Sequence, residues 1–228
     1  MQACEVSQVL IFLDTETTGL NAEDVMCCIS YVDDENDEYL LVNEGKKISA
    51  EASSVHHITN EMIKDKKTFK ESSIYSYLKK HNNEENTLVA HNINFDLGVL
   101  ASCGFIWKGG VIDTLRVSKH LIKECDAYSL GFLRYELKLY KQEQKIKEGC
   151  GIKDALLTKL LFVYLQDMAT VEEMLSLSFK EVLLEKFTFG KHKGKYIEEV
   201  CINDTSYVQW LLSSDADEDI KYSINYYL

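Results

Sequence analysis

Val9-Leu10-Ile11-Phe12-Leu13-Asp14-Thr15-Glu16-Thr17-Thr18-Gly19-Leu20 is the stretch on which the reading of this chain turns. The apolar, strand-prone residues Val9 to Leu13 predict a buried β-strand. Side chains two apart on an extended backbone share a face, so Asp14 and Glu16 point the same way. Two carboxylates this close repel each other, and at the end of an apolar strand neither is well solvated unless a cation holds them together. A strand-end acid followed by a turn is the plain account of the pair. Half of a divalent-cation site is the chemical one.

At 228 residues the chain can bury a full core, either as one large domain or as one domain with a small appendage. Its 46% hydrophobic and 27% charged residues are those of an ordinary soluble globule. No apolar run reaches the roughly 18 residues that span a bilayer, so no membrane partner is expected. Met1-Gln2-Ala3-Cys4-Glu5 has no basic start and no long apolar core, so a signal peptide is not expected. The seven cysteines are scattered without a C-x-x-C pair, which argues against a zinc ribbon or a disulfide framework and for reduced thiols in a cytoplasmic setting.

The net charge of −12 is a poor match to a passive nucleic-acid binder. It is compatible with an enzyme that holds nucleic acid through bound metal and local lysines. Lysines gather at 64–70, at 138–147 and at 180–195. Each group reads either as a phosphate track or as a solvated face.

Along the chain, Val25–Val32 and Glu38–Val42 predict two further strands in an antiparallel meander. Helical spacing covers Thr68–Lys80, and Thr87–Ala90 suits a short buried strand. A helix is expected over Asn94–Cys103, then a strand at Val111-Ile112, a helix through Leu121-Ile122 and a short helix over Ser129–Leu137. Ile152–Gln166 predicts a long helix with Ala155, Leu156, Leu160 and Val163 on its apolar face, and Val171–Leu177 another. A boundary is placed near 180–186. Beyond it, Phe187–Tyr196 reads as a hairpin or turn around two glycines, and Ser206–Leu212 and Asp219–Tyr227 as two closing helices.

Three more acids sit where strands end and helices begin. Asp96, in Ala90-His91-Asn92-Ile93-Asn94-Phe95-Asp96, falls in the first turn of its helix, where the dipole favours an anion, with Asn92 or Asn94 as the cap. Asp154, opening Asp154-Ala155-Leu156-Leu157-Thr158, has the same placement. Asp113 reads as a helix cap. For Asp96 and Asp154 the helix dipole alone is a sufficient account at this level.

Taken together, D-x-E-T-T-G-L early, H-N-x-x-F-D in the middle and D-A-L-x-T late resemble the DEDD (DnaQ-like) 3′–5′ exonuclease superfamily, including the exonuclease X-like proteins. Ser54–Thr59 is similar to that family's V-H-G-I-T segment, with His57 in the glycine position, and Ile112–Leu115 to its D-T-L segment. The likeness spans about residues 8–166. Phe189-Gly190-Lys191-His192-Lys193-Gly194-Lys195 resembles the F-G-K-x-K-G element of a small domain that ends some exonuclease X-like proteins.

The resemblance implies an α/β fold. It is a ribonuclease H-like mixed five-stranded sheet flanked by helices over residues 1–180, with a small C-terminal α+β appendage over 186–228. It assigns metal binding and catalysis to Asp14, Glu16, Asp96 and Asp154, with two divalent ions, Mg²⁺ or Mn²⁺, as cofactors; hard oxygen ligands suit both. The implied partner is nucleic acid with a free 3′ end. Thr17, Thr18, Gly19 and Leu20 correspond to positions that contact the terminal nucleotide, and Asn92 to the middle motif. His56 is assigned either to this cleft or to a structural hydrogen bond. Phe95 is expected in the core.

One element of the pattern is missing. Members of the larger branch carry a general-base histidine five residues before the last aspartate, and a second branch a tyrosine four before it. Here those positions are Gly149 and Cys150. General-base catalysis is worth about 10²–10⁴-fold. Lys147, Glu148, His120 and His192 are the remaining candidates for that role. Two main functions therefore stand at this level: a metal-dependent 3′–5′ exonuclease acting on single-stranded DNA with weakened chemistry, and a catalytically silent nucleic-acid-binding module that keeps the metal cluster. A calcium-binding acidic protein is disfavoured, because the EF-hand spacing is absent.

Overall fold

Leu10–Thr17 (β1) is the central strand of a five-stranded sheet in this computed structural model, which describes residues 8–123, 125–143 and 153–228. One edge of β1 pairs antiparallel with β2 (Met26–Val32), and β2 pairs antiparallel with β3 (Asp37–Leu41). The other edge pairs parallel with β4 (Thr87–Ala90), which is parallel to β5 (Gly110–Asp113). The sheet is thus mixed, in the order β3-β2-β1-β4-β5. β1 outruns the expected Val9–Leu13. Asp14, Thr15 and Glu16 sit opposite Ser30, Ile29 and Cys28 of β2, so pairing carries the strand through both acids before the register shifts at Glu16/Thr17.

The helices before the last third of the chain are α1 (Ala50–His56), α2 (Asn60–Ile63), α3 (Ser73–His81), α4 (Ile93–Ser102), α5 (Thr114–Leu121), α6 (Leu130–Glu136), α7 (Tyr140–Glu143), α8 (Lys153–Gln166) and α9 (Val171–Leu177). The single helix expected over Thr68–Lys80 is broken. Ser72 leaves the helical region (φ −89°, ψ 159°) and its hydroxyl accepts from the Tyr75 N–H, so a 3₁₀ turn at Phe69–Glu71 precedes α3. Asp113 caps α5 as expected, accepting from the N–H groups of Leu115 and Arg116.

Alternation along β1 sorts the core into two layers. Ile11 and Leu13 pack with Ile93, Val99 and Leu100 of α4 and with Ile74 and Leu78 of α3 on one face. Phe12 faces the other way, among Ala155, Leu161, Phe162 and Leu165 of α8. The Phe12 and Phe162 rings meet edge to face with centroids 5.2 Å apart. That contact sets the rotation of α8 and corrects its expected apolar face. Ala155, Leu157, Leu161, Phe162 and Leu165 are buried, whereas Val163 is 49% exposed.

Beyond residue 181 a separate hydrophobic cluster forms around Val182, Phe187, Ile197, Val208, Ile220 and Ile224. Its strand content among the described residues is the isolated bridge Lys186–Tyr196. Three helices follow, α10 (Ile197–Asn203), α11 (Thr205–Ser213) and α12 (Glu218–Tyr227), where two were expected. The extra helix, α10, buries Ile197, Val200 and Cys201, an i, i+3, i+4 pattern too short to stand out in the sequence. Lys147, Glu148, Gly149 and Cys150, the segment at issue for the general base, lie outside the described residues.

Candidate active site

Asp14 and Glu16 share the β1 face that carries Phe12, and α8 brings Asp154 to them. From Phe162 back to Asp154 is eight residues, about 12 Å of helix. From Phe12 forward to Glu16 is four residues, about 13 Å of strand. With Phe162 seated on Phe12, the first turn of α8 therefore lands level with the two β1 acids. One carboxylate oxygen from each of Asp14, Glu16 and Asp154 lies within 4.8 Å of the others.

Asp96 approaches from α4 on the opposite face of the sheet. Thr15, between the two acids but pointing the other way, donates its hydroxyl to Asp96 Oδ1 at 2.7 Å. Asp96 is buried, and its charge is felt by Asp14. The structure thus joins three of the four expected acids directly and holds the fourth beside them through Thr15.

The electrostatics of this cluster are unfavourable for bare carboxylates. Burial, with the charges of Asp96, Asp154 and Glu16, pushes Asp14 well above the usual carboxylate range. Burial, followed by Asp154, raises Glu16 to about 7. Burial raises Asp96 to about 7 against the opposing hydrogen bonds from Thr15. No lysine or arginine among the described residues forms an ion pair with Asp14 or Glu16. A cluster of hard oxygen donors in which Asp14 and Glu16 are both raised by burial and by neighbouring acids fits a divalent metal ion.

The Thr17–Leu20 turn is braced from behind. Thr17 donates to the Gly19 carbonyl at 2.6 Å, and Thr18 donates to Asp24 Oδ1 at 2.8 Å. Lys46 holds the same Asp24 at 2.8 Å. A Cβ at Gly19 would come within 2.5 Å of Asp24 Oδ2, so any side chain there would push the Asp24 carboxylate off Thr18 and Lys46. Leu20 projects into solvent, 86% exposed.

His56 is hydrogen-bonded to the back of the turn. Its Nδ1 accepts from the Ile58 N–H at 3.0 Å, which leaves Nε2 protonated and 3.2 Å from the Thr17 carbonyl. Burial lowers its pKa, in keeping with a neutral ring. His57 caps α1 in the left-handed region (φ 62°), a conformation natural to the glycine of the resembled segment. Asn92 is also left-handed (φ 71°), and its N–H donates to Asp113 Oδ1 at 3.0 Å. Its side chain is exposed. Phe95 is not core, contrary to expectation. It is 38% exposed, because the apolar stripe of α4 runs through Ile93, Val99 and Leu100 instead.

No histidine among the described residues joins the carboxylate cluster. His120 Nε2 lies 3.4 Å from the Lys180 carbonyl, and His192 Nε2 lies 2.9 Å from Asp204 Oδ2, so the ring contacts of both lie elsewhere. The residues that sequence reasoning missed are Thr15, Asp24 and Lys46. Thr15 was visible as the residue between the acids, but its partner lies 81 positions away. Nothing local marks Asp24 or Lys46.

The exonuclease (RNase T) family pattern matches residues 11–162, which include all four acids. The chain belongs to this exonuclease family. The exodeoxyribonuclease X-like C-terminal pattern matches residues 187–213 of the same exonuclease. Exodeoxyribonuclease 10 of Escherichia coli (strain K12) is 24% identical over 227 residues, covering 96% of this exonuclease and 99% of that protein. The PolC-type DNA polymerase III of Thermotoga maritima is 29% identical over 225 residues, 93% of this chain but 16% of the polymerase. Among solved structures, exonuclease X in complex with 5′ overhanging duplex DNA superimposes with a TM-score of 0.61 at 28% identity, over 74% of this chain and 99% of that one. E. coli exonuclease I with a 5cy-dA13 oligonucleotide shares the fold, with a TM-score of 0.54 at 13% identity, over 74% of this chain and 42% of that one.

This exonuclease is accordingly a phosphodiester hydrolase working in the 3′-to-5′ direction on nucleic acid with a free 3′ end. Its superfamily uses divalent metal ions, and a carboxylate cluster suited to them is present. No described helix is long and apolar enough to cross a membrane.

Proposed function

We propose that the chain removes nucleotides one at a time from the 3′ end of single-stranded DNA, in the cytoplasm, with two Mg²⁺ or Mn²⁺ ions held by Asp14, Glu16, Asp96 and Asp154. The observation that carries this reading is the gathering of the Asp14, Glu16 and Asp154 oxygens within 4.8 Å, with Asp96 alongside on Thr15. When bound, such ions supply positive charge for the entering and leaving oxygens of an in-line displacement at phosphorus. DNA as substrate is supported by the exodeoxyribonuclease relative and by the DNA-bound exonuclease X structure.

The chain's own residues do the positioning. Asp24 and Lys46 hold Thr18 and Gly19, so their backbone meets the terminal sugar in a fixed geometry, and Leu20 offers an apolar edge to the terminal base. His56 and Asn92 complete the substrate-facing set. His56 acts through its hydrogen bond to the Thr17 carbonyl, and Asn92 through its exposed side chain beside α4. Residues 1–180 form the exonuclease domain and 186–228 the C-terminal domain, a division supported by the separate hydrophobic cluster of the latter.

The decisive experiment is an assay on a 5′-labelled single-stranded oligonucleotide with Mn²⁺. Stepwise shortening that disappears in Asp14→Ala is the expected result. Binding without shortening, over a wide range of enzyme concentration, would instead establish a silent binding module.

A further inference from the structure

Where the C-terminal unit meets α5 and the segment leading to α6, the surface encloses a cleft of about 570 Å³. That volume is in the range of small-ligand sites. Lys119 of α5 and Lys193 of the glycine-flanked turn line it, together with the rings of Tyr128 and Phe189. Phe189 is 40% exposed. An adjoining recess shares Lys119 and Tyr128 and adds Lys123, Lys186 and the acid Glu185. Lys123 and Lys193 are exposed and form no ion pair among the described residues. Two acids, Asp126 and Asp217, also line the cleft, and Asp217 Oδ1 accepts the Asp219 N–H at the start of α12. Lys119 is paired with Asp219, and Tyr128 is half-buried with its hydroxyl on the Ile122 carbonyl. In a chain of net charge −12, however, two exposed lysines beside the exposed ring of Phe189 and one face of Tyr128 are the composition of a single-strand binding surface.

The topology places this cleft on the side of the sheet where the chemistry is. β1, β4 and β5 run parallel, so their C-terminal ends lie on one edge. Glu16 lies next to the last residue of β1 on that edge. His91, which lines the cleft, follows β4, and Leu115 and Lys119 follow β5. β5 is two strands from β1, about 10 Å across the sheet.

We propose that the cleft binds the single-stranded stretch of substrate lying 5′ of the terminal nucleotide, with Lys123 and Lys193 on its phosphates and Phe189 and Tyr128 on its bases. This rests on the reading of the carboxylate cluster as the 3′-end site. The C-terminal unit is then a grip that lengthens the footprint on the strand and takes no part in the bond cleavage.

The test uses the full chain with Mn²⁺ on two substrates, a thymidine 16-mer and the p-nitrophenyl ester of thymidine 5′-phosphate, which is too short to reach the cleft. Phe189→Ala and the double variant Lys123→Glu/Lys193→Glu are expected to lower kcat/KM on the 16-mer by roughly tenfold and to leave the ester unchanged. The salt dependence of 16-mer binding should weaken by about 0.7 in log–log slope per lysine lost. Lys79→Glu, an exposed lysine on α3, serves as the charge control and should change neither substrate. Equal losses on both substrates, no loss on the 16-mer, or the same loss with Lys79→Glu would overturn the cleft proposal alone. A wild-type enzyme inert on both substrates would overturn the reading of the carboxylate site as well.

Discussion

Arg116 and Asp219, 103 residues apart in sequence, lock the C-terminal unit onto the exonuclease fold. Arg116 Nη1 and Nη2 reach the two oxygens of the buried Asp219 carboxylate at 3.2 and 3.1 Å. Lys119 adds a contact at 3.4 Å, and the Val182 N–H donates to Oδ1 at 3.0 Å. Arg116 also donates to the Lys180 carbonyl, so one guanidinium ties α5, the connecting segment and α12 together. Removing one partner of a buried pair strands the others. Asp219→Ala should therefore cost about 3 kcal/mol, seen as a fall of roughly 10 °C in thermal unfolding. Arg116→Met should cost less, since Lys119 and the Val182 N–H still satisfy the carboxylate. A loss under about 1 kcal/mol for Asp219→Ala would contradict this account of the junction.

Metal and pH are linked through the carboxylates. Glu16 and Asp96, raised to about 7, and Asp14, raised well above the usual carboxylate range by burial and its acidic neighbours, bind protons more tightly folded than unfolded. Their contribution to stability is complete below about pH 4 and is lost as pH climbs through about 7. A divalent ion binds the ionised form, so Mn²⁺ should raise Tm more at pH 8 than at pH 5.5. Burial lowers the pKa of His56, His91 and His120, which therefore contribute with the opposite sign, stabilising above their unfolded pKa and lost as pH falls. Comparing Tm with and without Mn²⁺ at each pH isolates the carboxylates from this background. Asp14→Asn should raise the metal-free Tm at pH 8 and shrink the Mn²⁺ increment. An increment independent of pH would count against the site.

Thr15 holds Asp96 from the opposite face of β1. Thr15→Val keeps the shape and removes the hydroxyl. Groups that orient metal ligands are worth about 10–100-fold in affinity, so Mn²⁺ binding by calorimetry should weaken by that order, with Thr15→Ser close to wild type. Equal weakening by both substitutions would point to packing instead.

His57 occupies the left-handed region with an exposed side chain. A side-chain-bearing residue there costs about 1–2 kcal/mol, partly offset in glycine by the freedom of its unfolded chain. His57→Gly should therefore stabilise the protein by about 1 kcal/mol in urea unfolding, whereas His57→Ala should not.

Gly149 stands five residues before Asp154, where the larger branch of the superfamily carries its histidine. Gly149→His should raise turnover by about 10²-fold or more, with Mn²⁺ affinity unchanged. A folded, metal-binding variant with unaltered turnover would mean that the base comes from another position.

Much of the architecture was legible because it is written in short-range pattern. Thr87–Ala90 and Val171–Leu177 coincide residue for residue with β4 and α9. An apolar run between polar turns, or apolar residues at helical spacing, needs no distant partner to be recognised. Asp14 and Glu16 were legible as a pair from strand alternation, whereas Asp96 and Asp154 joined them only through the resemblance of three ordered motifs to a known family; their offsets alone read as acids at helix starts. Where the outcome depends on a partner far along the chain, the local pattern misleads. β1 extends through Glu16 because β2 pairs with it there. Val163 turns outward because Phe162 docks on Phe12, and Phe95 is exposed because α4 presents Ile93, Val99 and Leu100 to the sheet.

By itself, then, the sequence determined which residues could make strands and helices and, through its family motifs, which four acids are candidates for a metal site. Only the tertiary structure decided that three of those acids meet, that Thr15 holds the fourth, and that Arg116 joins the C-terminal unit to the rest. Spacing along one strand or helix follows from backbone geometry. The meeting of separate elements is set by which buried side chains pack against each other, and no local stretch contains that information.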